Sequence, residues 1–216
     1  MQETVQWLGH DTFKIAGSKI IFTDPYQIST RDVADIIVIT HDHYDHCSPD
    51  DIEKLRGPHT VVLAPSDCAP GIAGSITTIA PGDTLLLDGV TIIAVPAYNT
   101  NKQFHTRDRG WVGYIIKIDG TSIYFAGDTD HIPEMSLLGT IDIALLPVSG
   151  TYVMTADEAA QAALAIRPKL AIPMHFGSIV GTRNDAEHFA DILKGTVEVR
   201  ILKRGQSSRL SVTRND

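Results

Sequence analysis

Three of the nine histidines in this 216-residue chain fall within six positions, in Thr40-His41-Asp42-His43-Tyr44-Asp45-His46-Cys47-Ser48. Imidazole nitrogen with carboxylate oxygen is the donor set that borderline divalent cations take, so the chemistry suggested is metal binding. The spacing constrains the backbone. On a helix His41 and His43 would lie on different faces, whereas residues two apart in an extended or looping chain project the same way. Asp45 and His46 then turn away from that pair, and one short loop can serve two neighbouring cations, His41 and His43 for one, Asp45 and His46 for the other. The competing reading is a solvated loop that histidines merely decorate. The apolar run Ile36-Ile37-Val38-Ile39 just before it, which reads as a buried strand, weighs against that.

The elements that must hold such a loop begin with short apolar runs, Val5-Gln6-Trp7-Leu8, Thr12-Phe13-Lys14-Ile15 and Lys19-Ile20-Ile21-Phe22, separated by Gly9 and Gly17-Ser18. That pattern predicts an antiparallel meander. Asp24-Pro25 closes the third strand; a turn aspartate and a partner that holds a ligand histidine are equally open readings of Asp24. Ser48-Pro49-Asp50-Asp51 predicts a short helix to about Leu55, with a hydroxyl cap, proline in the first turn and acids at the positive end of the dipole. Strands follow over 61–64, 76–79, 84–87 and 90–95. Residues 97–111 lack periodicity, and a polar loop of that length is more often functional than idle. Lys102, Arg107 and Arg109 in it are either substrate contacts or solvated charges.

A hairpin over 111–126 turns at Asp119-Gly120 and runs into Gly127-Asp128. Residues 141–148 predict a strand buried on both faces. Thr155-Ala156-Asp157-Glu158 opens a helix through about Ile166, and strand 170–173 runs into Met174-His175. Asn184-Asp185-Ala186-Glu187 predicts a helix start, with a helix to about Leu193, and strands over 197–201 and 208–212 follow. Metal-compatible residues thus lie just past apolar strands in four places: 41–46, 99–105, Asp128 and His175. Strand ends that share one edge of a layered sheet would bring them into a single polynuclear site.

At 43% apolar and 20% charged, the chain is long enough for one large core, and one domain over 1–216 is expected. With 18 basic against 26 acidic residues, the formal charge of −8 argues against a broad grip on nucleic acid. No stretch reads as a leader or a bilayer span. The two cysteines, Cys47 and Cys68, fit a reducing compartment rather than a disulfide framework, so a cytoplasmic location is expected. Cys47, beside His46, reads as structural. A homo-oligomer is compatible with all of this.

Trp7-Leu8-Gly9-His10 with Phe13, Thr23-Asp24-Pro25, the cluster itself, Gly127-Asp128-Thr129, Gly150-Thr151-Tyr152 and Ile172-Pro173-Met174-His175 occur together and in order. In these the chain resembles the metallo-β-lactamase superfamily, and within it the small metal-dependent hydrolases related to L-ascorbate-6-phosphate lactonase and N-acylphosphatidylethanolamine phospholipase D. The resemblance implies an αββα four-layer sandwich of two mixed β-sheets flanked by helices. It implies that His41 and His43 bind one metal, that Asp45, His46 and His175 bind another, that Asp128 bridges both, and that Asp24 orients the cluster from behind. The family usually has a further histidine where this chain reads Ala97-Tyr98-Asn99. His105, in the same loop, is the favoured replacement; Asn99 through its carbonyl, or a mononuclear site, is the alternative.

The chemistry implied is hydrolysis of an ester, lactone, amide or phosphodiester of a small substrate by a hydroxide formed from metal-bound water, whose pKa two divalent cations bring toward neutrality from ~15.7. Zinc is the first expectation, with manganese, iron or nickel as other candidates. Asp45 or Asp128 would accept a proton, and His10 or His105 would protonate the leaving group, although His10 is equally well read as a hydrogen-bonding core histidine. Val148-Ser149-Gly150 lacks the first glycine of a serine-nucleophile turn. Competing functions are a phosphodiesterase or nuclease acting on nucleic acid, a di-metal redox protein, for which His43 stands where those relatives usually have glutamate, and a metal-stabilised binding module.

Overall fold

Period-two alternation in the first strands sorts side chains to two faces, and each face finds a different partner. A computed structural model of the chain describes residues 4–209. One sheet is built from β1 (Thr4–Gly9), β2 (Thr12–Ala16), β3 (Ile20–Thr23), β4 (Ile36–Val38), β5 (Val61–Ala64) and β6 (Thr77–Thr78), with β14 (Ser207–Ser208) beside β1. The other runs from β7 (Thr84–Leu87) through β8 (Val90–Pro96), β9 (Val112–Ile118), β10 (Thr121–Phe125), β11 (Ile143–Pro147) and β12 (Leu170–Met174) to β13 (Glu198–Val199). Each sheet has seven strands and is mixed, so the expected αββα arrangement holds.

Ile21, Ile36, Val38 and Leu63 of the first sheet share a buried core with Ile92, Tyr114, Ile116 and Phe125 of the second. Tyr114 spans the interface and donates its hydroxyl to the Ile39 carbonyl at 2.6 Å. The alternate residues Phe22, Ile37, Ile39 and Val62 face outward against Ile52 and Leu55 of α1 (Pro49–Leu55). Helices α2 (Ala156–Ile166) and α3 (Arg183–Leu193) cover the second sheet at β11 and β12. No helix among the described residues is long and apolar enough to cross a membrane.

Strand direction creates the working edge. β1 is antiparallel to β2 and β2 to β3, while β3, β4 and β5 are parallel, so β1, β3 and β4 all end on the same side. In the second sheet β8 and β10 each run antiparallel to β9, and β10, β11 and β12 are parallel, which again aligns their C-terminal ends. His10, Asp24, the 41–46 cluster, His105, Asp128 and His175 each follow one of these ends.

Three expectations need correction. α3 begins two residues earlier than an Asn184 cap suggests, because the Thr182 backbone N–H donates to the Asp185 carboxylate at 2.6 Å. The strand expected over 197–201 pairs only at Glu198–Val199, as an edge strand with one neighbour. Of the strand expected over 208–212, Ser208 pairs with Val5 and the part from 210 onward lies outside the described residues. Short 3-10 turns at Ser66–Gly71, Arg107–Arg109 and Pro133–Leu137 were not anticipated.

Candidate metal centre

Bringing loops from both sheets to one point strains their backbones. Eight non-glycine residues among those described have positive φ, and four of them are His10 (49°), Asp24 (32°), His105 (54°) and His175 (60°). Left-handed geometry disfavours residues with a Cβ, and such strain concentrates where side-chain aim matters. Gly127, at φ +64°, serves the same end: a Cβ there would stand 2.8 Å from Thr40 Cγ2, so only glycine lets the Asp128 loop close on the cluster.

Hydrogen bonds then decide which nitrogen each imidazole presents. Asp24 accepts from the Thr40 backbone N–H (2.8 Å), from the Thr40 hydroxyl (2.6 Å) and from His46 Nδ1–H (2.8 Å). The Thr40 hydroxyl, having donated to Asp24, accepts from His41 Nδ1–H at 2.8 Å. Ser149 Oγ accepts from His175 Nδ1–H at 2.8 Å, and the Tyr152 carbonyl accepts from His105 Nδ1–H at 3.2 Å. Fixing one ring nitrogen as donor leaves Nε2 of His41, His46, His105 and His175 with its lone pair outward.

Those lone pairs meet. His43 Nδ1 is 3.1 Å from His41 Nε2 and 3.2 Å from His105 Nε2. A proton on His43 could satisfy one neighbour, but not both. Nitrogens roughly 2.0–2.1 Å from a tetrahedral ion would lie about 3.3 Å apart, so a cation among the three fits this triangle. Asp128 Oδ2 lies 3.2 Å from His105 Nε2 and 3.3 Å from His175 Nε2, while its Oδ1 lies 3.5 Å from His46 Nε2. His46 Nε2 and Asp128 Oδ1 are buried without a hydrogen-bond partner. A second convergent group is formed by His10, Asp45, His46 and His175. The donors are nitrogen and oxygen, several are orphaned in the interior, and bound divalent metal would satisfy them.

Electrostatics agree with a site made for cations. Burial pushes His41 and His46 well below the usual histidine range and His105 down to about 3, so these rings are neutral and able to ligate. Burial also lowers His43. It raises Asp128 to about 8 and pushes Asp24 well up, the latter opposed by the Thr40 hydrogen bonds. Burial works against the Asp45 carboxylate too, but the bond donated by His10 Nε2 (3.0 Å) and its charge leave Asp45 below the usual value.

Asn99 is buried beside His105, and its Oδ1, the atom expected as an alternative ligand, has no hydrogen-bond partner. Its Nδ2 donates to the carbonyls of Phe104 (3.0 Å) and Tyr152 (2.6 Å), bracing the segment that holds His105. His10 is 2% exposed and its Nε2 is committed to Asp45, so the geometry does not suit the expected delivery of a proton to a leaving group. His105 Nδ1–H is committed to the Tyr152 carbonyl, and its Nε2 lone pair lies among the donors that face the metal position. Lys102 pairs with buried Asp130, Arg107 with Glu134 (3.2 Å), and Arg109 with Asp42 (3.6 Å) while lying over the Trp111 ring. Sequence reading passed over Asp11, fully buried beside His46 with both oxygens unpartnered and its pKa raised by burial to about 7. It also passed over the positioning roles of Thr40 and Ser149. Adjacency to His10 and His41 was the only available signal for Asp11 and Thr40; Ser149 gave none.

Residues 4–175 match the family described as the Beta-lactamase superfamily domain. A protein of Thermococcus kodakarensis named a UPF0173 metal-dependent hydrolase is 36% identical, over 95% of this chain and 99% of that one. A crystal structure from Parabacteroides distasonis superposes with a TM-score of 0.85 at 34% identity, covering 94% of both chains. The metallo hydrolase Igni18 of Ignicoccus hospitalis gives 0.81 at 26% identity, over 97% of this chain and 98% of that one.

Proposed function

The chain belongs to the beta-lactamase superfamily as a metal-dependent hydrolase, and from that premise we propose that its centre holds two divalent cations and cleaves an ester, lactone, amide or phosphodiester bond of a small substrate. The observation that carries this reading is the triangle of imidazole nitrogens 3.1 and 3.2 Å apart, in which a proton on His43 Nδ1 can satisfy only one of its two neighbours. His41, His43 and His105 would hold one cation, Asp45, His46 and His175 the other, with Asp128 between them. The nitrogen-rich set favours zinc. When bound, the cations lower the pKa of water toward neutrality and polarise the scissile oxygen.

The chain's own residues do the rest. Asp24, Thr40 and Ser149 keep the donor nitrogens aimed. The water oxygen bonds to the carbonyl carbon or phosphorus as the bond to the leaving oxygen or nitrogen breaks. One water proton passes to Asp45, which is kept ionised by His10, and returns to the leaving atom. His10 acts here through Asp45, as a positioning residue. No serine nucleophile is needed, since the Ser149 hydroxyl is occupied with His175.

The test is a panel of chromogenic esters and phosphodiesters assayed with metal-loaded, metal-free and His43→Ala protein. Loss of turnover in both altered forms is expected. Equal rates in all three would overturn the mechanism.

A further inference from the structure

The cavity above the centre, about 250 Å³, is walled by Tyr44, Phe104, Tyr152 and Ile179, with His43, Asp45, His105, Asp128 and His175 at its base. Among the described residues no lysine or arginine lines it. The 97–111 loop that supplies Phe104 carries three cations, and all three are spent elsewhere: Lys102 on Asp130, Arg107 on Glu134, Arg109 on Asp42. Arg183 and Arg204 line a different cavity, beyond the 176–178 turn, together with Trp7 and Phe176.

The walls are mostly apolar surface, two phenol rings, a benzyl ring and an aliphatic chain, and open to solvent. Tyr44 (66%), Phe104 (50%) and Ile179 (38%) are three of the eight large hydrophobic residues exposed among those described, and they converge on this one mouth. Phe104 is held edge-on against Tyr152, ring centres 5.0 Å apart at 86°, which gives the wall a fixed shape. Exposed apolar surface gathered around a concave site marks where a ligand is desolvated. A carboxylate or phosphate held against these walls would lose part of its water and meet no cationic side chain, the Tyr44 and Tyr152 hydroxyls being the only side-chain donors that the four wall residues carry.

We propose that this pocket selects substrates whose non-reacting part is uncharged and apolar, a short acyl chain or an aryl group, and discriminates against substrates bearing a second anionic group there. The proposal rests on the hydrolase reading for the reacting end and adds what the rest of the substrate must be. Phosphorylated lactones and acids carrying a remote carboxylate are thereby poor substrates, and neutral esters, lactones or amides good ones.

The test uses a matched pair of metal-chelating probes on zinc-loaded protein, hexanohydroxamate and its analogue ending in a carboxylate, with binding measured by calorimetry. The neutral probe is expected to bind at least about tenfold more tightly, a difference of about 1.4 kcal/mol. Ile179→Lys, at a partly exposed position, should narrow or reverse the preference while metal content stays at the wild-type level. Equal affinities, or tighter binding of the anionic probe by wild-type protein, would overturn the proposal while leaving the hydrolase reading intact. If neither probe binds the zinc-loaded protein, the pocket is not the substrate site and the proposal also falls. Failure to load zinc at all would instead overturn the metal reading on which both depend. Kinetics on 4-nitrophenyl hexanoate and the corresponding adipate monoester give a second comparison, with the discrimination expected in KM rather than kcat.

Discussion

Four imidazoles at the centre, those of His41, His46, His105 and His175, are aimed by a hydrogen bond at Nδ1. Ser149 shows this most simply: it accepts from His175 Nδ1–H at 2.8 Å and so turns Nε2 toward Asp128. Ser149→Ala should weaken one of two cation affinities by about 10- to 100-fold and leave the other unchanged, as read by titration against a competing chelator. A uniform loss at both would contradict this pairing. Asp128 carries the pH dependence. Its pKa in the metal-free fold is raised by burial to about 8, above the usual carboxylate value of 3.8, so it holds a proton at neutral pH. Its contribution to stability is therefore full below the unfolded value and is lost as pH rises through about 8. Metal uptake must displace that proton. Calorimetry in buffers of different ionisation enthalpy should show about one more proton released at pH 7 than at pH 9; equal release would contradict it. At this scale the 41–46 cluster was legible because its spacing is local. Asp11 and Ser149 were not, since their roles depend on atoms that only the fold brings near.

Strands aim the loops, and the loops accept strain in return. Gly127 lets the turn after β10 pass Thr40, where an added Cβ would stand 2.8 Å from a methyl group and φ is +64°. Gly127→Ala should cost about 1–3 kcal/mol in chemical denaturation and lower metal affinity as Asp128 moves away. A loss under about 0.5 kcal/mol would show that the close approach is not needed. The 97–111 loop is tied similarly: Asp130 accepts from the Thr100 backbone N–H at 2.7 Å and pairs with Lys102. Most strands were legible from alternation between Gly and Asp turns, and α1 and α2 from their caps. The start of α3 was missed because two capping signals, Thr182 and Asn184, stand two residues apart, and only the side-chain contact to Asp185 separates them. Edge strands were overextended because apolar patterning does not say where a hydrogen-bonding neighbour ends.

Across the whole molecule, two seven-stranded sheets place the ends of parallel and alternately antiparallel strands on one edge. That edge is where six separate stretches of sequence supply imidazoles and carboxylates to a single point. The expectation of convergence came from apolar strands each followed by a ligand type, and the layered arrangement from the resemblance. Neither could foretell that the loop cations would be consumed in ion pairs, because pairing partners such as Asp130 and Glu134 lie far along the chain. The pocket's lack of positive charge is thus a property of the assembled fold. The most direct test of the account is an anomalous difference map from a crystal of the metal-loaded protein. Two peaks are predicted, one within about 2.0–2.2 Å of nitrogens of His41, His43 and His105 and one similarly close to His46 and His175, with Asp128 reaching both. A map with no peak among these side chains, or with a single peak that His41 and His43 do not touch, would contradict it.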